Sequence, residues 1–254
     1  YFLAAGGEAR RAARGYLRRC LGREPTLAET YRLFFTFAAT VHDRIYFLKG
    51  RFELFDIAVH GAGAFDERGA LLLGAHFGSF EALRASGKAI GQRRVAMAMY
   101  EDNARKINAV LGALAPGATG DIVALGRVDS MIRLAERLDA GALVGVLADR
   151  TLGGEAVARV PFLGEPAPFP TGPMRMAAAL RQRVFFMAAV HGGGSRYDIH
   201  FEPLADFSGL EGLARAERER HVAAAVAAYA AGLERHARAA PYNWFNFFDF
   251  WNAR

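Results

Sequence analysis

Five short, uninterrupted apolar runs, at residues 70–75, 95–99, 122–125, 143–147 and 184–190, are separated by stretches that keep helical spacing. A strand that is apolar on both faces must be covered on both, and parallel strands joined through helices achieve this. The pattern predicts an α/β fold: a single domain with a mixed, mainly parallel sheet flanked by helices. The intervening helices fall at about 79–90, 102–114, 128–139 and 171–182. Gly192-Gly193-Gly194-Ser195 reads as a hairpin turn that sends residues 197–201 back antiparallel, which makes the sheet mixed.

Before the first run, residues 8–22 and 26–49 both carry helical periodicity; in the second, Leu27, Tyr31, Phe34, Phe35, Ala38, Val41, Ile45 and Leu48 recur at steps of three and four. The domain therefore spans 1–254, with 1–55 as a helical N-terminal part preceding the sheet. The aromatic stripe built from Phe34, Phe35, Phe37, Tyr46, Phe47, Phe52 and Phe55 fits a core, a membrane-facing surface or the wall of an acyl-chain pocket. The chain opens on Tyr1-Phe2-Leu3-Ala4-Ala5 followed by Arg10, Arg11, Arg14, Arg18 and Arg19. That order suggests an upstream membrane helix that is missing here, with the arginines just past its cytoplasmic end; an ordinary basic surface helix is the competing reading. No run reaches the ~20 apolar residues that a spanning helix needs. An Ala-rich helix over about 210–239 is ended by Pro241, and the aromatic residues 242–251 that follow either cap the core or sit at a bilayer interface.

Composition narrows the chemistry. Lys and Arg number 32 against 26 Asp and Glu, a net charge of +6 that favours an anionic partner. Cys20 is the only cysteine, which rules out an intrachain disulfide and a cysteine metal cluster. His191 and His200 lack metal-ligand spacing, so no metal is expected. No Gly-x-Ser-x-Gly elbow, dinucleotide fingerprint or Gly-Lys-Ser/Thr phosphate loop occurs, and no basic-aromatic module points to nucleic acid.

One spacing offers a reaction. A hydroxyl attacking a thioester needs a base to take its proton, and the base needs a partner that fixes its tautomer. In Gly74-Ala75-His76-Phe77-Gly78-Ser79-Phe80-Glu81, His76 stands just past a strand end, where open α/β sheets place their ligand crevices, and Glu81 follows five positions on. Gly78 suits a tight turn and Ser79 a helix cap. With seven histidines and 26 acids the spacing would arise by accident roughly 0.7 times, so its weight comes from its position at a strand-to-helix turn. Arg127, at another strand end, could hold an anionic group of a substrate or form a surface ion pair. Asp149 could orient Arg127, Arg150 or an acceptor hydroxyl, or merely form a turn. Thr171 with Gly172 at a helix start could offer N–H groups to an anion or oxyanion, and Thr171 is equally a plain cap.

In order, these blocks resemble the glycerolipid and lysophospholipid acyltransferase superfamily. His76 through Glu81 resembles its His-x4-acid block, Gly120 to Arg127 its arginine block, Leu147-Ala148-Asp149-Arg150-Thr151 its third block, and Pro170-Thr171-Gly172-Pro173 its fourth. The arginine-rich opening, the long spacing from His76 to Asp149, Val160-Pro161-Phe162-Leu163-Gly164 and the tail Trp244 to Trp251 are most similar to the bacterial lipid A late acyltransferases, across nearly the whole chain. Asp149-Arg150-Thr151 departs from that family's Asp-Gln-Asp. The resemblance implies a membrane-associated O-acyltransferase at the cytoplasmic face of the bacterial inner membrane. Its catalytic pair would be His76 and Glu81, and Arg127, Asp149, Arg150, Thr171 and Gly172 would bind substrate. The implied donor is acyl carrier protein or acyl-coenzyme A and the acceptor a lipid hydroxyl, with the acyl thioester as co-substrate and no cofactor. A lysophospholipid acyltransferase, or a catalytically silent, membrane-docked lipid-binding protein, are the alternatives.

Overall fold

The computed structural model describes residues 7–82, 90, 93–100, 122–126, 129–150 and 154–252. Seven strands form one sheet in the order β1 (Asp56–His60), β9 (Arg196–Asp206), β8 (Arg183–Gly193), β2 (Ala70–Gly74), β5 (Leu143–Leu147), β3 (Val95–Tyr100) and β4 (Ile122–Leu125). From β8 to β4 every pairing is parallel; β8 and β9 pair antiparallel, and β1 joins β9 in parallel at the edge. The sheet is mixed and mainly parallel, as the continuous apolar runs predict. β2 occupies the middle with all five residues buried, because Leu71 and Leu73 face one core and Ala70 and Leu72 the other.

The first core lies under α5 (Arg215–Ala239), whose Ala225, Val226, Tyr229 and Leu233 pack with Phe186 and Ala188 of β8. Tyr16 and Leu17 of α1 (Gly7–Leu21) join it. The second core packs Phe185, Met187, Tyr197 and Ile199 against Phe47, near the end of α2 (Leu27–Leu48). That helix begins on a reciprocal cap in which the Thr26 hydroxyl accepts from the Glu29 amide and the Glu29 carboxylate accepts from the Thr26 amide. Two shorter helices, α3 (Ser130–Asp139) and α4 (Gly172–Ala179), lie where the spacing puts them.

Several boundaries differ from expectation. Phe80, Glu81 and Ala82 are in 3-10 conformation; the rest of the helix expected over 79–90 and the whole of that over 102–114 fall largely or wholly outside the described residues. β8 and β9 run eleven residues each, longer than the apolar runs, so the hairpin turn contracts to Gly194 and Ser195. Strand β1 goes unread in the sequence because it is a short edge strand whose residues alternate between exposed and half-buried. The ribbon β6 (Val157–Phe162) with β7 (Glu165–Pro170) is masked by Pro161, Pro166, Pro168 and Pro170, tolerated because a two-stranded ribbon has only edges. The aromatic tail is core: Trp244, Phe245, Phe250 and Trp251 are buried, and Trp244 meets Tyr16, Phe162 and Phe250 edge to face. No helix among the described residues is long and apolar enough to cross a membrane.

Candidate active site

At the carboxyl end of β2 the chain turns through Ala75 to Ser79, and backbone hydrogen bonds tie that turn down at several points. The Gly74 carbonyl accepts from the Ala148 amide at 2.9 Å and from the Tyr229 hydroxyl at 2.7 Å. The His76 carbonyl accepts from the Phe245 amide (2.8 Å), the Gly78 amide donates to Asn243 O (2.8 Å) and the Ser79 amide to Ala189 O (3.1 Å). Gly78 is required here. Its φ is +58° and an added Cβ would lie 1.7 Å from the Ala189 oxygen, so a side chain would be both strained and excluded.

The imidazole of His76 is thereby aimed across to the neighbouring strand. Its Nδ1 lies 2.8 Å from Asp149 Oδ1, and its own amide donates to Asp149 Oδ2 at 3.0 Å. Asp149 Oδ2 also accepts from the indole Nε1 of Trp244 at 3.0 Å. The carboxylate is 1% exposed. Burial pushes its pKa up, but the charge and hydrogen bond of His76, the charge of Arg150 and the Trp244 donor outweigh it and hold the group down at about 2. With Nδ1 facing a permanent anion, the neutral ring carries its proton there and presents Nε2 as the basic nitrogen. Among the described residues no hydrogen bond is made at Nε2, and about a third of the His76 side chain is open to solvent.

The orienting acid expected for His76 was Glu81, and the structure pairs the ring with Asp149 instead. Strands β2 and β5 are adjacent and parallel with Gly74 opposite Leu147, so the residues two beyond each strand end, His76 and Asp149, come face to face. The left-handed turn at Gly78 meanwhile carries Glu81 toward α2, where its Oε1 lies 2.7 Å from Arg44 Nε. Glu81 is 7% exposed and borders a second polar group, in which the Tyr197 hydroxyl donates to Asp43 Oδ2 at 2.8 Å. Burial, then Asp43 and Glu81, push the Tyr197 hydroxyl pKa far up, which keeps it a donor.

The other expected site residues disperse. Arg127 and Thr151 lie outside the described residues. Arg150 donates to Phe245 O at 2.9 Å and sits over the Phe248 ring, so its guanidinium is turned to the tail, and burial lowers its pKa against the opposing charge of Asp149. Thr171 spends both polar groups inside the fold: its amide and hydroxyl donate to Ala156 O at 2.9 and 3.0 Å. Its hydroxyl also accepts from Arg175 Nε, and Gly172 follows as the first residue of α4. The site residue that the sequence did not single out is Trp244, which stood there only as one of two tryptophans in an aromatic tail similar to the family's.

What stands at the strand ends is a buried carboxylate, a histidine fixed by it and a ring nitrogen with no hydrogen bond among the described residues, an arrangement suited to taking a proton from a hydroxyl. The family model described as "Bacterial lipid A biosynthesis acyltransferase" matches residues 26–252. Among solved structures, the crystal structure of the 1-acyl-sn-glycerophosphate acyltransferase PlsC from Thermotoga maritima is 16% identical, with a TM-score of 0.41 over 80% of this chain and 87% of that one; so distant a likeness bears no weight. No curated protein sequence matches the chain.

Proposed function

We propose, since the chain belongs to the bacterial lipid A biosynthesis acyltransferase family, that it transfers a fatty acyl chain from a thioester of acyl carrier protein or coenzyme A to a hydroxyl of a lipid or glycolipid acceptor. The observation that carries this reading is the 2.8 Å contact of His76 Nδ1 with buried Asp149, which leaves Nε2 as the base. The acceptor hydroxyl gives its proton to Nε2 as its oxygen bonds to the thioester carbonyl carbon. The tetrahedral intermediate then collapses, the C–S bond breaks, and the imidazolium returns the proton to the leaving thiolate. Glu81 and Arg44 hold the turn that carries His76, and Arg127, Arg150, Thr171 and Gly172 are candidates for substrate contacts. The chemistry calls for no metal or cofactor.

A peripheral position on the cytoplasmic face of the inner membrane is supported by α2, which exposes Leu27, Tyr31, Phe35, Val41 and Ile45 along one side. Such a stripe extends roughly 30 Å at 1.5 Å per residue, and it belongs to the same helix that anchors Glu81 beside the site. The net charge of +6 suits an acidic carrier protein as well as an anionic lipid surface.

The test is to incubate the protein with radiolabelled acyl–acyl carrier protein or acyl-coenzyme A and, separately, a lipid A precursor and a lysophospholipid. Label appearing on the lipid A precursor, and its loss in His76→Ala, supports the proposal. Label on the lysophospholipid alone moves the protein to the glycerolipid acyltransferases. No transfer to either, or full transfer by His76→Ala, removes the enzyme reading and leaves a lipid-binding protein.

A further inference from the structure

Asp149 is held by more than the histidine it faces. Oδ1 meets Nδ1 of His76, while Oδ2 collects two donors, the His76 amide and the indole of Trp244, each at 3.0 Å. Trp244 stands 95 residues further along the chain, and its ring has no freedom to wander. Tyr16, Phe162 and Phe250 meet it edge to face at 5.0, 5.2 and 5.1 Å between centroids, and the ring is 1% exposed. The same tail segment grips the other half of the pair. Trp244 bridges Phe77 antiparallel and the Phe245 amide donates to the His76 carbonyl.

We propose that Trp244 is a positioning residue for the acyl transfer proposed above, acting through Asp149 to fix the carboxylate that orients His76. The inference rests on that reading of the site. Physically, two donors on Oδ2 keep Oδ1 directed at Nδ1, and the indole is the one of the two that does not belong to His76, so it holds the carboxylate from the opposite part of the chain. The indole N–H also draws negative charge onto Oδ2 and so tempers the hold of Asp149 on the imidazolium. The other groups facing Asp149 are Arg150, next to it at the end of β5, and Tyr229 of α5, whose hydroxyl is already donated to Gly74 O.

A clean test replaces the indole N–H by sulfur. Incorporating 3-benzothienylalanine at position 244 keeps the ring shape and deletes the donor. The same replacement at 251 is the control, because Trp251 Nε1 is buried with no hydrogen-bond partner among the described residues. At 244, with labelled acyl–acyl carrier protein as donor and lipid A precursor as acceptor, kcat falls about ten-fold or more, the loss of a hydrogen bond to a charged group. KM for the donor stays within about two-fold. The base works unprotonated and the undiluted charge of Asp149 favours its protonated form, so the acid limb of the pH–rate profile moves to higher pH. Ring-nitrogen NMR reports the same displacement without substrate: the His76 ring takes up its proton at higher pH than in the unmodified protein. The replacement at 251 leaves rate, profile and NMR titration unchanged. Trp244→Phe, although it leaves a gap, repeats the displacement. The inference is overturned if the 244 replacement matches the unmodified protein in rate and titration, or if the 251 replacement loses as much. His76→Ala run alongside separates the two failures, since full activity in that variant removes the acyl-transfer reading itself.

Discussion

Two acids compete for the role of orienting His76, and their surroundings assign them different work. Asp149 contacts the ring; Glu81 contacts Arg44. Asp149→Asn is expected to lower kcat at least about 100-fold, because an amide can stabilise neither the imidazolium nor the required tautomer. Glu81→Gln is expected to cost about 1–2 kcal/mol of stability, from the ion pair with half-exposed Arg44, with a much smaller loss of rate. Steady-state rates and urea unfolding of both variants decide it, and an inactive, fully stable Glu81→Gln protein would return the orienting role to Glu81. The pH dependence of stability gives an independent reading. A carboxyl depressed to about 2 in the folded protein contributes stability that is present above its unfolded value near 4 and is lost as pH falls from there toward 2. Unfolding free energies measured across that window should fall more shallowly in Asp149→Asn than in the parent. At this scale the place of His76 just past a strand end was legible, because the apolar run before it marks the strand. The role of Asp149 stayed open because it depends on which strands are neighbours, and the β2–β5 pairing is a property of topology that spacing along the chain does not carry.

Elements decide whether those residues meet. The turn after β2 works only with glycine at 78, and Gly78→Ala is expected to destabilise the protein by at least about 2 kcal/mol, or to displace the turn and with it His76. Thermal unfolding and the His76 ring NMR signal would show which. Helix α2 divides its sides between two tasks: Phe34 stacks on Phe247 of the tail and Phe37 meets it edge to face, while Leu27, Tyr31, Phe35, Val41 and Ile45 remain exposed. If that outer side meets lipid, Phe35→Glu with Ile45→Glu should weaken co-sedimentation with anionic phospholipid vesicles by about ten-fold or more. Neither side chain is buried, so thermal stability should hold; equal vesicle binding would remove the support from α2. The strands β2, β3, β4, β5 and β8, the β8–β9 hairpin and the five helices seen among the described residues could be read from periodicity. β1 and the proline-rich ribbon β6–β7 could not, because an edge strand and a ribbon escape the burial that writes an apolar run into a sequence.

On the scale of the whole molecule the tail is the element that joins everything else. Residues 242–251 fill the core beneath α1 and α5, bond the backbone at His76 and Gly78, and supply the donor to Asp149. A protein ended at Ala240 should therefore fail to fold, with circular dichroism and solubility as the measure, since Trp244, Phe245, Phe250 and Trp251 all leave the core together. The sequence marked this stretch as aromatic, and it could not show that the aromatic rings also frame the site. One consequence concerns the cell's supply of activated fatty acid. Strand β2 and His76 precede the tail by well over half the chain, so a copy clipped or prematurely terminated after α5 still carries the histidine yet lacks the parts that set it. On the acyl-transfer reading proposed above, broken copies are in this way expected to be silent rather than leaky, and would not squander thioesters on water.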